Sequence, residues 1–150
     1  MLGSIVALLL AGQVDPGAGP DRDARLTPPS GFHGSWRVLA ADDAGRQATM
    51  RIDVQHSPGE REGTGSYALY QPFCDLVAER RITGDADCEL IGQGGEAGVA
   101  LRDGRLTISF APTADGIEHR LVVRRSSAGL TGVYRVADHR RAVWLERVAE

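Results

Sequence analysis

The sequence predicts an all-β fold, a single antiparallel up-and-down barrel of about eight strands, and three observations carry that expectation. Apolar residues recur at every second position in short runs, as they must where a strand covers a core on one side only. The runs are separated by explicit turn residues such as Asp103-Gly104. Sustained helical periodicity is missing, and the one candidate helix, residues 75–82, is short.

Residues 1–12 (MLGSIVALLLAG) hold an apolar run from Ile5 to Ala11. It is far shorter than the ~20 residues of a membrane-spanning helix. With small residues after it, it matches the apolar region of a secretory signal peptide, so the protein is expected to be exported, periplasmic or secreted. Residues 13–30 are rich in Pro, Gly and charge without an apolar period, which predicts a flexible linker. The barrel domain is then expected over residues 31–150.

The first strand is expected to open at Gly34-Ser35-Trp36. In the second, Met50, Ile52 and Val54 share one face, and Arg51 and Asp53 the other. Tyr67 and Leu69 mark the third. Cys74 and Cys88 follow, an even pair in a chain bound for an oxidising compartment, and are expected to form a disulfide. Closing that loop of about 15 residues would stabilise the fold by roughly 3 kcal/mol in the chain-entropy model. The glycine-rich segment 92–98 lacks the Lys and the following helix of a phosphate-binding loop, and reads as a flexible connector into the strand 99–101. Leu106, Ile108 and Phe110 then share one face of a strand reached through Asp103-Gly104. The runs 119–125, 130–136 and 142–148, divided by turns at 126–129 and 138–141, complete a meander.

Gly34-Ser35-Trp36 ahead of such a meander resembles the calycin superfamily: lipocalins and the bacterial metalloprotease-inhibitor barrels shaped like them. The segment Tyr67 to Cys74 also looks similar to the strand that leads into a cysteine in the inhibitors, although their partner cysteine lies where this chain has Thr49 and Met50. The resemblance implies that Trp36 lies across one barrel end with an Arg from a late strand, Arg147 or Arg135, packed on its ring. It also implies a binding rather than a catalytic role. A lipocalin-like barrel would bind a small apolar ligand, and an inhibitor-like one an exported protein partner.

Elementary chemistry narrows the function further. All 17 basic residues are Arg, so Schiff-base lysines, phosphate-loop lysines and Ser–Lys dyads are excluded. A net charge of −3 argues against general nucleic-acid binding. Arg51, Asp53, Arg120, Arg124 and Arg135 on polar faces argue against an integral membrane barrel. The four histidines, His33, His56, His119 and His139, show no metal-ligand spacing and are expected to be solvated; no metal or other cofactor is expected. No nucleophile, base and orienting group assemble, so catalysis is not expected, with a hydrolase of unrecognised site as the remaining alternative. The candidate ligand-binding residues are Trp36, Tyr67, Leu69, Phe110 and Tyr134, inward aromatics and their neighbour that either line a cavity or fill it. Residues 119–150 hold seven Arg against three acids, whereas the rest of the chain holds ten Arg against 17. That basic hairpin surface either recruits an anionic partner or is a solvated outer face. Nothing in the sequence sets the oligomeric state.

Overall fold

A computed structural model describes residues 30–42, 47–76 and 93–149. The expected signal segment (1–12), nearly all of the expected linker (13–30) and Cys88 lie outside the described residues. Eight strands follow in chain order: β1 (Gly34–Ala40), β2 (Ala48–Gln55), β3 (Glu62–Leu69), β4 (Gly94–Arg102), β5 (Arg105–Phe110), β6 (His119–Ser126), β7 (Gly129–Val136) and β8 (His139–Arg147). Each pairs antiparallel with the next, and β8 pairs with β1, so the sheet closes into the expected up-and-down barrel. At the seam Trp36 stands opposite Arg147, and the Val148 N–H donates to the Ser35 carbonyl at 2.9 Å.

Alternation fixes which side chains enter the barrel. Val38, Met50, Ile52, Leu106, Ile108, Leu121 and Tyr134 are all 0% exposed. On β8, Val143 and Leu145 are buried while Trp144 is half-buried on the opposite face, which settles the facing of the last strand. A register shift between Val38 and Leu39 bends β1, and the Thr49 hydroxyl donates to the Val38 carbonyl at 3.0 Å beside it.

Several expectations need correction. The segment 92–98 is not simply a connector, because β4 begins at Gly94 and pairs with β3 from Ala68 to Glu62. Glycines on both strands let the two backbones lie close there, so tertiary pairing overrides weak local propensity. The turn expected at 138–141 is tighter, at Ala137-Asp138, and β8 already starts at His139. Of the short helix expected over 75–82, residues 75 and 76 end a single turn, α1 (Phe73–Leu76), and residues 77–82 lie outside the described residues. The Asp103-Gly104 hairpin is as expected: both residues have positive φ, 51° and 73°, the combination a two-residue hairpin turn of the right twist demands.

Candidate functional site

All five candidate residues face inward. Trp36, Tyr67, Leu69, Phe110 and Tyr134 are between 0% and 8% exposed and belong to one continuous core. A side chain bordering an internal void would expose surface to it. These side chains expose almost none, so among the described residues the barrel interior is filled by packing.

One end is shut by Trp36. Its indole Nε1–H donates to the Phe32 carbonyl at 2.9 Å, and the Arg147 guanidinium lies over its ring, 4.4 Å from the centroid. Arg147 is held there by donating to the His33 carbonyl at 2.8 Å and the Gly31 carbonyl at 3.2 Å. Gly34 is required at this point. Its φ is +127°, and a Cβ there would collide with the Arg147 guanidinium. The physical meaning of the Gly-x-Trp pattern is thus a backbone kept bare so that an arginine can cross it. Of the two arginines the resemblance proposed, Arg147 takes the place, whereas Arg135 is exposed on the outer face.

The other end is plugged by α1. Phe73 and Leu76 are fully buried, and the Phe73 ring approaches His119 at 6.0 Å and Tyr134 at 5.9 Å between centroids. Phe110 meets His119 at 5.5 Å and Tyr67 at 4.7 Å. Tyr67, Phe110 and Tyr134 thus belong to one aromatic neighbourhood with Phe73 and His119, whereas Tyr70 lies outside it, 39% exposed.

At the centre of this cluster sits a residue sequence reasoning misplaced. His119 was expected to be solvated, yet it is 0% exposed, and His56 is only 4% exposed. His56 bridges Ser30 and the Glu60 carbonyl through its two ring nitrogens. Nδ1 of His119 lies 2.5 Å from the Tyr134 hydroxyl, while Nε2 is buried without a partner. If the hydroxyl donates to Nδ1, only the Nε2–H goes unmet. If Nδ1–H donates instead, both Nε2 and the tyrosine hydrogen go unmet, so the first tautomer is favoured. Burial, opposed in part by the Asp115 carboxylate, pulls the His119 pKa down to about 4, and burial pushes that of Tyr134 strongly up. A signal was present in the sequence: position 119 shares the inward parity of Leu121 and Val123.

The His119 imidazole packs against the Phe73 and Phe110 rings, and among the described residues no nucleophile is hydrogen-bonded to its Nε2. No three of His, Cys, Asp and Glu converge on a metal position there either. Cys74 lies on α1, half-buried, beside the plugged end.

Comparison with protein-family models, curated proteins and solved structures found no match.

Proposed function

We propose that the protein is an exported, non-catalytic binding module that recognises an exported protein partner with the outside of a filled barrel. The observation that supports this reading is the interior. Inward side chains from all eight strands bury one another, Trp36 and Arg147 cover one end, and Phe73 and Leu76 fill the other. A carrier of apolar molecules keeps a cavity of some 300–1,000 Å³, whereas among the described residues the side chains around Tyr134 are packed against one another. The inhibitor-like alternative of the resemblance therefore suits this chain better than the lipocalin-like one.

A small apolar ligand inside is the second reading, favoured by the unmet His119 Nε2, which a ligand acceptor would satisfy. It requires Phe73 to leave its place between the rings. The test is titration with a fluorescent fatty acid while the tryptophan emission is followed. No saturable uptake is expected, and uptake of one equivalent per chain would overturn the outer-surface reading. Export predicts that periplasmic material begins after residue 12 or later, read by N-terminal sequencing. The Cys74–Cys88 disulfide, proposed on the same grounds, predicts an intact mass two hydrogens below the reduced one; two titratable thiols in non-reduced protein would refute it.

A further inference from the structure

The outer face of β5 to β8 carries five arginines that folding does not explain. The ladder sets Arg120 beside Arg135, and Arg135 beside Arg140, so three cationic side chains stand in a row across three strands. Adjacent strands are about 4.8 Å apart, and like charges directly opposed destabilise a sheet. Arg124 lies four residues along β6, and Arg105 lies one residue beyond the Leu106–Val123 pair, forming a second cationic group about 13 Å from the first. All five are exposed. Only Arg120 forms an ion pair among the described residues, with Glu118.

Between the two groups the surface sinks. A groove of about 440 Å³ lies over Val122, Thr131, Gly132 and Val133, bounded by Arg105, Arg124 and Arg135. Arg135 also borders a second depression of about 320 Å³, whose charged lining is Arg120, Arg140 and the Glu118 carboxylate that pairs with Arg120. The face is thus a shallow saddle, with Val122 and Val133 on its floor beside Thr131, flanked by two cationic groups. Because the barrel is closed, it offers no free strand edge for a partner to extend, and a partner must be read through side chains.

We propose that this face docks an extended acidic segment of a partner protein, with acidic side chains four residues apart on either side of an apolar one. In an extended chain, residues i, i+2 and i+4 point the same way, and i to i+4 spans about 13 Å. That matches the succession Arg120, Val122, Arg124 along β6. Guanidinium forks donate paired hydrogen bonds to carboxylates, and the apolar side chain between them falls on Val122 and Val133. A flat anionic bilayer would meet the arginine tips and leave the saddle empty, and a single phosphate would occupy one group alone. The inference rests on the outer surface being the recognition surface.

The test uses the full chain and a fluorescein-labelled nine-residue peptide repeating Glu, Ser, Val, Ser and ending on Glu, followed by anisotropy at low ionic strength. Saturable binding is expected, and Arg124→Glu or Arg135→Glu should each weaken it about tenfold or more. Arg124→Gln, which keeps the strand but not the charge, should weaken it less. Arg61→Glu, the same charge change in the turn before β3, should leave it unchanged. An isomeric peptide with its glutamates adjacent should bind more weakly. Equal loss from Arg61→Glu, equal binding of the isomer, or binding of phosphatidylglycerol vesicles or tripolyphosphate but not the peptide would overturn the proposal. If the peptide fails while the fluorescent fatty acid stays out of the barrel, this inference falls alone. If the fatty acid enters, the outer-surface reading falls with it.

Discussion

Consider what acidification from pH 7 to pH 5 asks of His119. In the unfolded chain its imidazole takes up a proton near pH 6.5, whereas inside the barrel burial holds the pKa down to about 4. Between those values the unfolded state binds more protons, so stability rises with pH and is lost on acidification. The full difference is about 3 kcal/mol, at 1.36 kcal/mol per pK unit, and about 2 kcal/mol of it is lost by pH 5. Two aspartates shift the other way. Asp42, hydrogen-bonded by Arg141, and Asp115, hydrogen-bonded by the Thr113 hydroxyl and the Ile117 N–H, are held below their usual value of 3.8. Their contribution is present above that value and lost beneath it, so it stays outside the window. Urea midpoints at pH 7 and pH 5 give the comparison, for the wild type and His119→Phe. With slopes of about 1–3 kcal/mol per molar urea, the wild-type midpoint should fall by roughly 1 M more than that of the variant. A phenylalanine suits the ring cluster but leaves the Tyr134 hydroxyl without its acceptor, so the variant should lose about 1 kcal/mol at pH 7. Equal falls in the two proteins, within about 0.5 kcal/mol, would refute the account of a neutral buried imidazole.

Other perturbations follow from the same packing. Trp36→Ala should cost about 3–5 kcal/mol and Arg147→Ala less, with coupling of about 0.5–2 kcal/mol in a double-mutant cycle read by urea denaturation, because the two side chains share one contact. Gly132→Ala should destabilise by about 3 kcal/mol or more, since the new Cβ would overlap the Val122 carbonyl oxygen and lie 2.8 Å from the Val123 Cα; thermal melting reports it. Arg135→Thr should raise stability by about 0.5–1 kcal/mol at low salt and less in high salt, because it removes two like-charge oppositions. A melting temperature that falls would contradict that last expectation.

Much of the barrel was legible because a half-buried strand announces itself. Met50, Ile52 and Val54, or Leu106, Ile108 and Phe110, state both the strand and its inward face. The first half of β4 was hidden, since Gly94, Gly95 and Gly98 carry no side chain from which a period can be read. The Trp36 end was legible through its resemblance, and Arg147 sits on it. What stayed illegible was the difference between lining and filling. Tyr67, Phe110 and Tyr134 are inward in either case, and only the arrival of Phe73 from a segment with no strand pattern closes the space. His119 was misread because its neighbourhood in sequence, Ile117-Glu118-His119-Arg120, is that of a surface turn. Its neighbours in space, Phe73 and Phe110, come from distant parts of the chain. The cross-strand row of arginines was equally out of reach, because register, unlike alternation, is a property of two strands at once.

The hydrogen bond that carries the Val148 N–H to Ser35 makes the strand order a ring with no privileged starting point. Seven of its eight pairings join neighbours in sequence, six of them through short connections and β3–β4 across residues 70–93, whereas the seam of β1 with β8 must bring together residues more than about a hundred positions apart. That one closure dominates the chain's contact order and is the step expected to set its folding rate. Joining residue 149 to residue 30 with a short linker and cutting between Asp103 and Gly104 would leave every ladder pair intact while exchanging the two roles. The old seam would become a hairpin that zips early, and β4 and β5 would be the last strands to find each other.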